Sequence, residues 1–158
     1  MNARSQGKVF VGTDPPVRVM TVDEAIEALG LPGRPKPKEL SFLIPGPPIP
    51  WQRAGVAADG HHYTQARTKA YQKHCATMAL QARQKLKGPW PMRAAYDVTL
   101  VVHRRRDDGD IDNFQKTYFD GFQGVLWGND KKIVHSDTRL WVRPAAPCCE
   151  VVVRALED

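Results

Sequence analysis

The chain has 158 residues, with 23 Lys+Arg against 17 Asp+Glu and a formal net charge of +6. That length suits one domain with a short appendage and is enough to bury a real core. The excess of positive charge favours an anionic partner, most commonly nucleic acid. No apolar run approaches the ~18 residues of a membrane span, and no signal-peptide pattern is present, which points to a soluble intracellular protein without a membrane partner. The cysteines (Cys75, Cys148 and Cys149) show no zinc-ligand spacing, so they read as reduced, structural thiols.

Taken in chain order, residues 1–38 stand apart. In "TVDEAIEALG", Thr21 and Glu24 form a capping box, Ile26 and Leu29 give a small apolar side, and Gly30 is a stop signal, so one short helix is expected. The prolines and charges of "LPGRPKPK" then read as a linker. Residues 39–158 form the main domain. It opens with the apolar strand "LSFLIPG", followed by "PPIPWQRAGVAADGHH", too rich in Pro and Gly for regular structure and long enough to be a functional loop. This loop sets Trp51 beside Arg53.

From Ala66 to Lys87 the period becomes helical, with Tyr71, Cys75, Met78, Ala79, Ala82 and Leu86 on one stripe. Lys69, Lys73, Arg83 and Lys87 lie roughly opposite, and the segment, which also holds Arg67 and Lys85, contains no acid. A solvated face usually mixes signs, whereas a face of one sign suits a phosphate track. "AAYDVTLVVH" alternates, with Tyr96, Val98, Leu100 and Val102 on one side of a strand. The charged loop "RRRDDG" leads to a second helix from Asp112 to about Val125, with Phe114, Tyr118, Phe122 and Val125 toward the core. "WGND" is a turn, and "KIVHSDTRLWVR" and "CCEVVVRAL" read as a two-stranded hairpin. The order predicts an α+β domain: one small mixed sheet of about four strands with two helices on one face.

The stretch "DGDIDNFQK" concentrates carboxylates in a basic chain. Asp112 at a helix start has a structural alternative as an N-cap, and Lys116 one as an i,i+4 ion-pair partner. Asp110, two residues from Asp112, adds repulsion that a hard divalent cation would remove, and Mg²⁺ needs only a few carboxylates besides water and phosphate oxygens. Asp130 returns near the helix start only if the strand after it pairs beside the first. A DxD pair alone is a weak motif. The context lacks the apolar strand and following residues of haloacid-dehalogenase-type phosphatases, and the Gly-x5-Glu ending of a calcium loop is absent.

"DIDNFQK…FDGFQGVLWGND" resembles the signature of the RusA family of Holliday junction resolvases. "PGPPIPWQR" is similar to that family's Pro-rich first loop, and "HYTQARTKAYQ" to its entry into the first helix, so the resemblance covers about residues 41–155. It implies a homodimeric endodeoxyribonuclease that uses Mg²⁺, or Mn²⁺ in its place, to cut four-way DNA junctions in recombination and repair. The setting it implies is the bacterial cytoplasm, with a chromosomal or phage-derived gene. By position, Asp110, Asp112 and Asp130 would hold the metal and Lys116 would be the catalytic lysine. Asn129 stands where another Asp is frequent, and Asp120 matches a recurrent helix Asp without a catalytic role. Two departures stand out: the extra "DDG" brings Asp107 and Asp108 near the site, and Leu140 stands where a strand Lys is expected, with Arg139 offset. The residues expected to contact DNA are Arg53, Lys69, Lys73, Arg83, Lys87, Arg104, Arg105 and Arg106. Two other readings compete with the nuclease: a DNA-junction-binding module without catalysis, and a small phosphohydrolase.

Overall fold

The computed structural model describes residues 20–33 and 36–156. The chain divides into two units, Met1–Arg34 and Pro35–Asp158. In the first, α1 (Val22–Ala28) starts at the Thr21–Glu24 capping box. It ends in a Schellman turn, with the Leu31 N–H on the Ile26 carbonyl and the Gly30 N–H on that of Glu27. No residue of α1 is buried. Residues 1–19 and part of the expected linker, 34–35, lie outside the described residues.

The second unit runs β1 (Lys38–Pro45), β2 (Gly55–Val56), β3 (His62–Tyr63), α2 (Ala66–Gln84), β4 (Ala95–Arg104), α3 (Ile111–Phe122), β5 (Ile133–Val142) and β6 (Cys148–Leu156). A four-stranded mixed sheet has the order β1-β6-β4-β5, and β2 and β3 form a separate two-stranded ribbon. The Pro-rich loop therefore contains a small piece of regular structure that its composition argued against. Its prolines all precede Trp51, which leaves the Gly55–Tyr63 stretch free to pair.

The alternation of β4 is the clearest sequence-to-structure link. Tyr96, Val98, Leu100 and Val102 are all fully buried, and they meet Phe114, Tyr118 and Phe122 of α3 and Tyr71, Cys75 and Ala79 of α2 in one core. Both helices thus cover the same face of the sheet. They run side by side: the Tyr71 and Tyr118 hydroxyls hydrogen-bond at 2.9 Å, and further along Arg83 Nη1 donates to the Val125 carbonyl. Gly121 permits the close approach, since a Cβ there would stand 3.2 Å from the Gln72 carbonyl oxygen and from Cys75 Cβ.

The expected β5–β6 hairpin does not form. β6 inserts between β1 and β4, antiparallel to both, and β5 pairs parallel with the other side of β4. Composition explains the choice. β6 buries Cys149, Val151, Val153 and Ala155 and fits a central position, whereas "HSDTR" in β5 is polar on both faces and fits an edge. Residues 143–147 step across the end of β4, where the Arg143 N–H donates to the Arg104 carbonyl at 2.8 Å.

Candidate active site

The site is built around the start of α3. Asp110, rather than Asp112, occupies the N-cap position, and its side chain makes no capping hydrogen bond. The loop before it is held by Arg104, whose Nη1 donates to the carbonyls of Asp108 and Gly109 at 2.8 Å each and whose Nη2 pairs with Asp107. Asp108 faces Arg106 at 3.6 Å. Both aspartates of the extra "DDG" are therefore balanced by arginines of "RRR". Gly109 has φ +76°, and a Cβ there would lie 2.9 Å from Phe114 Cε2 and 3.0 Å from Pro50 Cγ. Only glycine fits this turn between the Pro-rich loop and the first turn of α3.

From that start, Asp112, Lys116 and Asp120 follow at four-residue spacing and so share one face of α3. They line a cleft of about 310 Å³ together with Gln115, Phe119 and Asp130. Gln115 fixes the helix to the edge strand: its Nε2 donates to Ser136 Oγ at 3.0 Å, and its Oε1 accepts from Thr138 Oγ1 at 3.4 Å. Asp130 opens a short 3₁₀ turn, Asp130–Lys132, capped by Asn129, whose Oδ1 accepts the Lys131 N–H at 2.9 Å. The side-chain oxygen of Asn129 is thus engaged in its own backbone.

The structure brings Asp112, Lys116 and Asp130 into one cleft, and Asp110 does not line it. β5 does pair beside a strand that precedes it, but in parallel with β4, so the turn bearing Asp130 reaches the far end of α3 and not its start. A helix of 12 residues is roughly 18 Å long, which separates Asp110 from the foot of the cleft. Among the described residues no three His, Cys, Asp or Glu side chains gather closely enough to hold a metal ion. Lys116 pairs forward with Asp120, at 3.3 Å, instead of back with Asp112. Asp110, Asp112 and Asp130 make no side-chain hydrogen bond or ion pair with another described residue. The cleft's donors are carboxylate and amide oxygens without His or Cys, a set that fits Mg²⁺ or Mn²⁺ and not zinc.

The basic residues divide into two groups. Arg53, Lys69, Lys73, Lys87, Arg105 and Arg106 are exposed. Arg83 and Arg104 are half-buried and hold backbone carbonyls. Arg139 pairs with Asp137 at 2.8 Å on the sheet face opposite the helices. Gln115 was not legible in the sequence, because its hydrogen bonds to β5 depend on a strand pairing that no local pattern announces. Trp51 is the sequence neighbour of Arg53, whereas in space its indole ring lies 5.5 Å from Lys116 Nζ.

The cysteines play no part in the cleft. Burial pushes the Cys75 thiol up to about 12 and the Cys149 thiol upward as well, so both stay protonated in the core beside Tyr71 and Tyr118. Among the described residues no helix is long and apolar enough to cross a membrane. A protein-family model described as endodeoxyribonuclease RusA matches residues 45–154, which includes the loop, both helices of the core and the whole cleft. No curated protein matches the chain.

Proposed function

The chain belongs to the RusA endodeoxyribonuclease family, and from that premise we propose that it is a metal-dependent endonuclease that resolves four-way DNA junctions by paired, symmetric cuts in recombination and repair. The observation that carries the reading is the cleft: two carboxylates without partners among the described residues, Asp112 and Asp130, flank Lys116 on a chain of net charge +6. An unbalanced acidic cleft would repel a polyanion unless a cation were bound there.

Asp112 and Asp130 would hold Mg²⁺ or Mn²⁺ through hard oxygen donors, whereas Asp110, at the helix start and off the cleft wall, is not placed to share that ion. Once bound, the ion supplies Lewis acidity at the phosphoryl oxygen and makes an attacking water more acidic. Lys116 contributes a fixed positive charge to the phosphate oxygens as negative charge builds in the transition state. Asp120 balances that charge while the site is free of DNA. Arg53, Lys69, Lys73, Lys87, Arg105 and Arg106 supply the salt-dependent hold on the DNA backbone. Two related strands must be cut, and a two-fold homodimer presents two such clefts.

One observation favours the second reading, a junction-binding module without catalysis: no three-ligand group is assembled among the described residues. A single assay separates the two. A synthetic four-way junction and a linear duplex of the same sequence are incubated with the protein, with Mg²⁺ or with EDTA. Paired nicks in the junction alone, dependent on Mg²⁺, are expected. Tight junction binding with no cleavage in Mg²⁺ or Mn²⁺ would establish the binding module instead.

A further inference from the structure

The Pro-rich loop does more than pass over the site. The Trp51 N–H donates to the Asn113 carbonyl at 2.9 Å, which ties the loop to the first turn of α3. Pro50 closes over Gly109, where a Cβ would stand 3.0 Å from Pro50 Cγ. Fixed at these two points, the Trp51 ring comes to 5.5 Å from Lys116 Nζ, and the Asp120 carboxylate stands 3.3 Å from the same nitrogen. A lysine head on a four-carbon stem would otherwise sample many rotamers. The electron-rich face of an indole attracts an ammonium, and a half-buried ring restricts where it can go.

We infer that Trp51 is a positioning residue that holds the Lys116 ammonium at the cleft wall, and that the rigid course of "PPIPW" serves to deliver the ring there. The catalytic consequence rests on the nuclease reading above, whereas the contact itself does not. Without the ring, Asp120 is the one charged partner left to direct Lys116 among the described residues, and it lies a turn further from Asp112.

The test uses the full chain with Trp51→Leu and Trp51→Phe. In protein carrying ¹³C-labelled lysine, the Lys116 ε-methylene resonance, assigned with Lys116→Arg, should be displaced upfield by the indole. The displacement should be partly kept in Trp51→Phe and abolished in Trp51→Leu. In single-turnover cleavage of a four-way junction, Trp51→Leu should slow the cut about tenfold, the order expected for loss of a cation–π contact, while junction affinity stays within about twofold. Phe should restore most of the rate, and Trp51→Leu should add no further loss to Lys116→Ala. A Lys116 resonance unmoved by Trp51→Leu would overturn the contact. Equal losses in affinity and rate would overturn the positioning role and make Trp51 a surface that DNA itself stacks on. If the wild type cuts no junction, the nuclease reading fails and the catalytic part of the inference with it, while the resonance still decides the contact.

Discussion

On one side of α3, Phe114, Thr117, Tyr118, Gly121 and Phe122 are buried against β4 and α2; on the other, Asp112, Lys116 and Asp120 line a cleft. The buried side is fully committed. Its rings pack edge-on to Phe42 and Trp127, the Tyr118 hydroxyl meets that of Tyr71, and Thr117 Oγ1 donates to the Asn113 carbonyl. On the cleft side Gln115 ties the helix to β5, and the charged groups beside it add little stability. Asp112 has no partner among the described residues, and the Lys116–Asp120 pair is a partly exposed i,i+4 contact worth a few tenths of a kcal/mol. One helix thus separates stability from chemistry by face, and a substitution should move one property without the other.

The largest effect that would test this division is on stability. Phe122→Ala removes a fully buried ring in contact with Phe42, Tyr118 and Trp127, and should cost about 3–5 kcal/mol by chemical denaturation. The second lies on the opposite face. Lys116→Ala, which removes the partly exposed contacts with Asp120 and Trp51, should cost at most about 1 kcal/mol of stability and slow junction cleavage about 100-fold or more. Loss of folding there, with the cleavage rate per folded molecule intact, would break the comparison. Gly109→Ala joins the two faces, because the loop it forms places the start of α3 against Pro50. The positive φ and the blocked space predict a loss of about 1–3 kcal/mol, along with weaker cleavage that raised Mg²⁺ does not restore. The smallest effect belongs to α2: Lys69→Ala and Lys73→Ala should each lower the salt dependence of junction affinity by about one unit of log–log slope, with cleavage of bound junction unchanged.

The sequence made the committed face legible and the cleft only partly so. Alternation in β4 and the 3.6-residue period of α2 and α3 report burial directly, because most buried side chains must be apolar wherever their partners come from, Thr68, His103 and Thr117 being the polar exceptions. The shared face of Asp112 and Lys116 was likewise readable, since they stand one turn apart on one helix, whereas Asp110, expected beside them, takes the N-cap position of that helix and lies off the cleft. The position of Asp130 was not readable. It depends on β5 pairing parallel with β4, a choice made between distant strands according to which is apolar enough to be central. The same non-local choice overturned the expected hairpin and hid Gln115, whose partners Ser136 and Thr138 arrive only with β5. The contact between Trp51 and Lys116 was hidden for a related reason: the sequence shows Trp51 beside Arg53, and only the anchoring of the loop at Asn113 and Gly109 turns the ring toward α3.

The most direct test of the account measures cleavage and unfolding together on wild type and Asp112→Asn, using a four-way junction in Mg²⁺ and a thermal melt of the same preparations. Asn keeps the size and removes the charge of an exposed side chain that no described residue engages. Paired nicking should be lost in Asp112→Asn while the melting temperature and junction binding hold. Undiminished, Mg²⁺-dependent cleavage by Asp112→Asn would contradict it, and the cleft along α3 would not be the site of the chemistry.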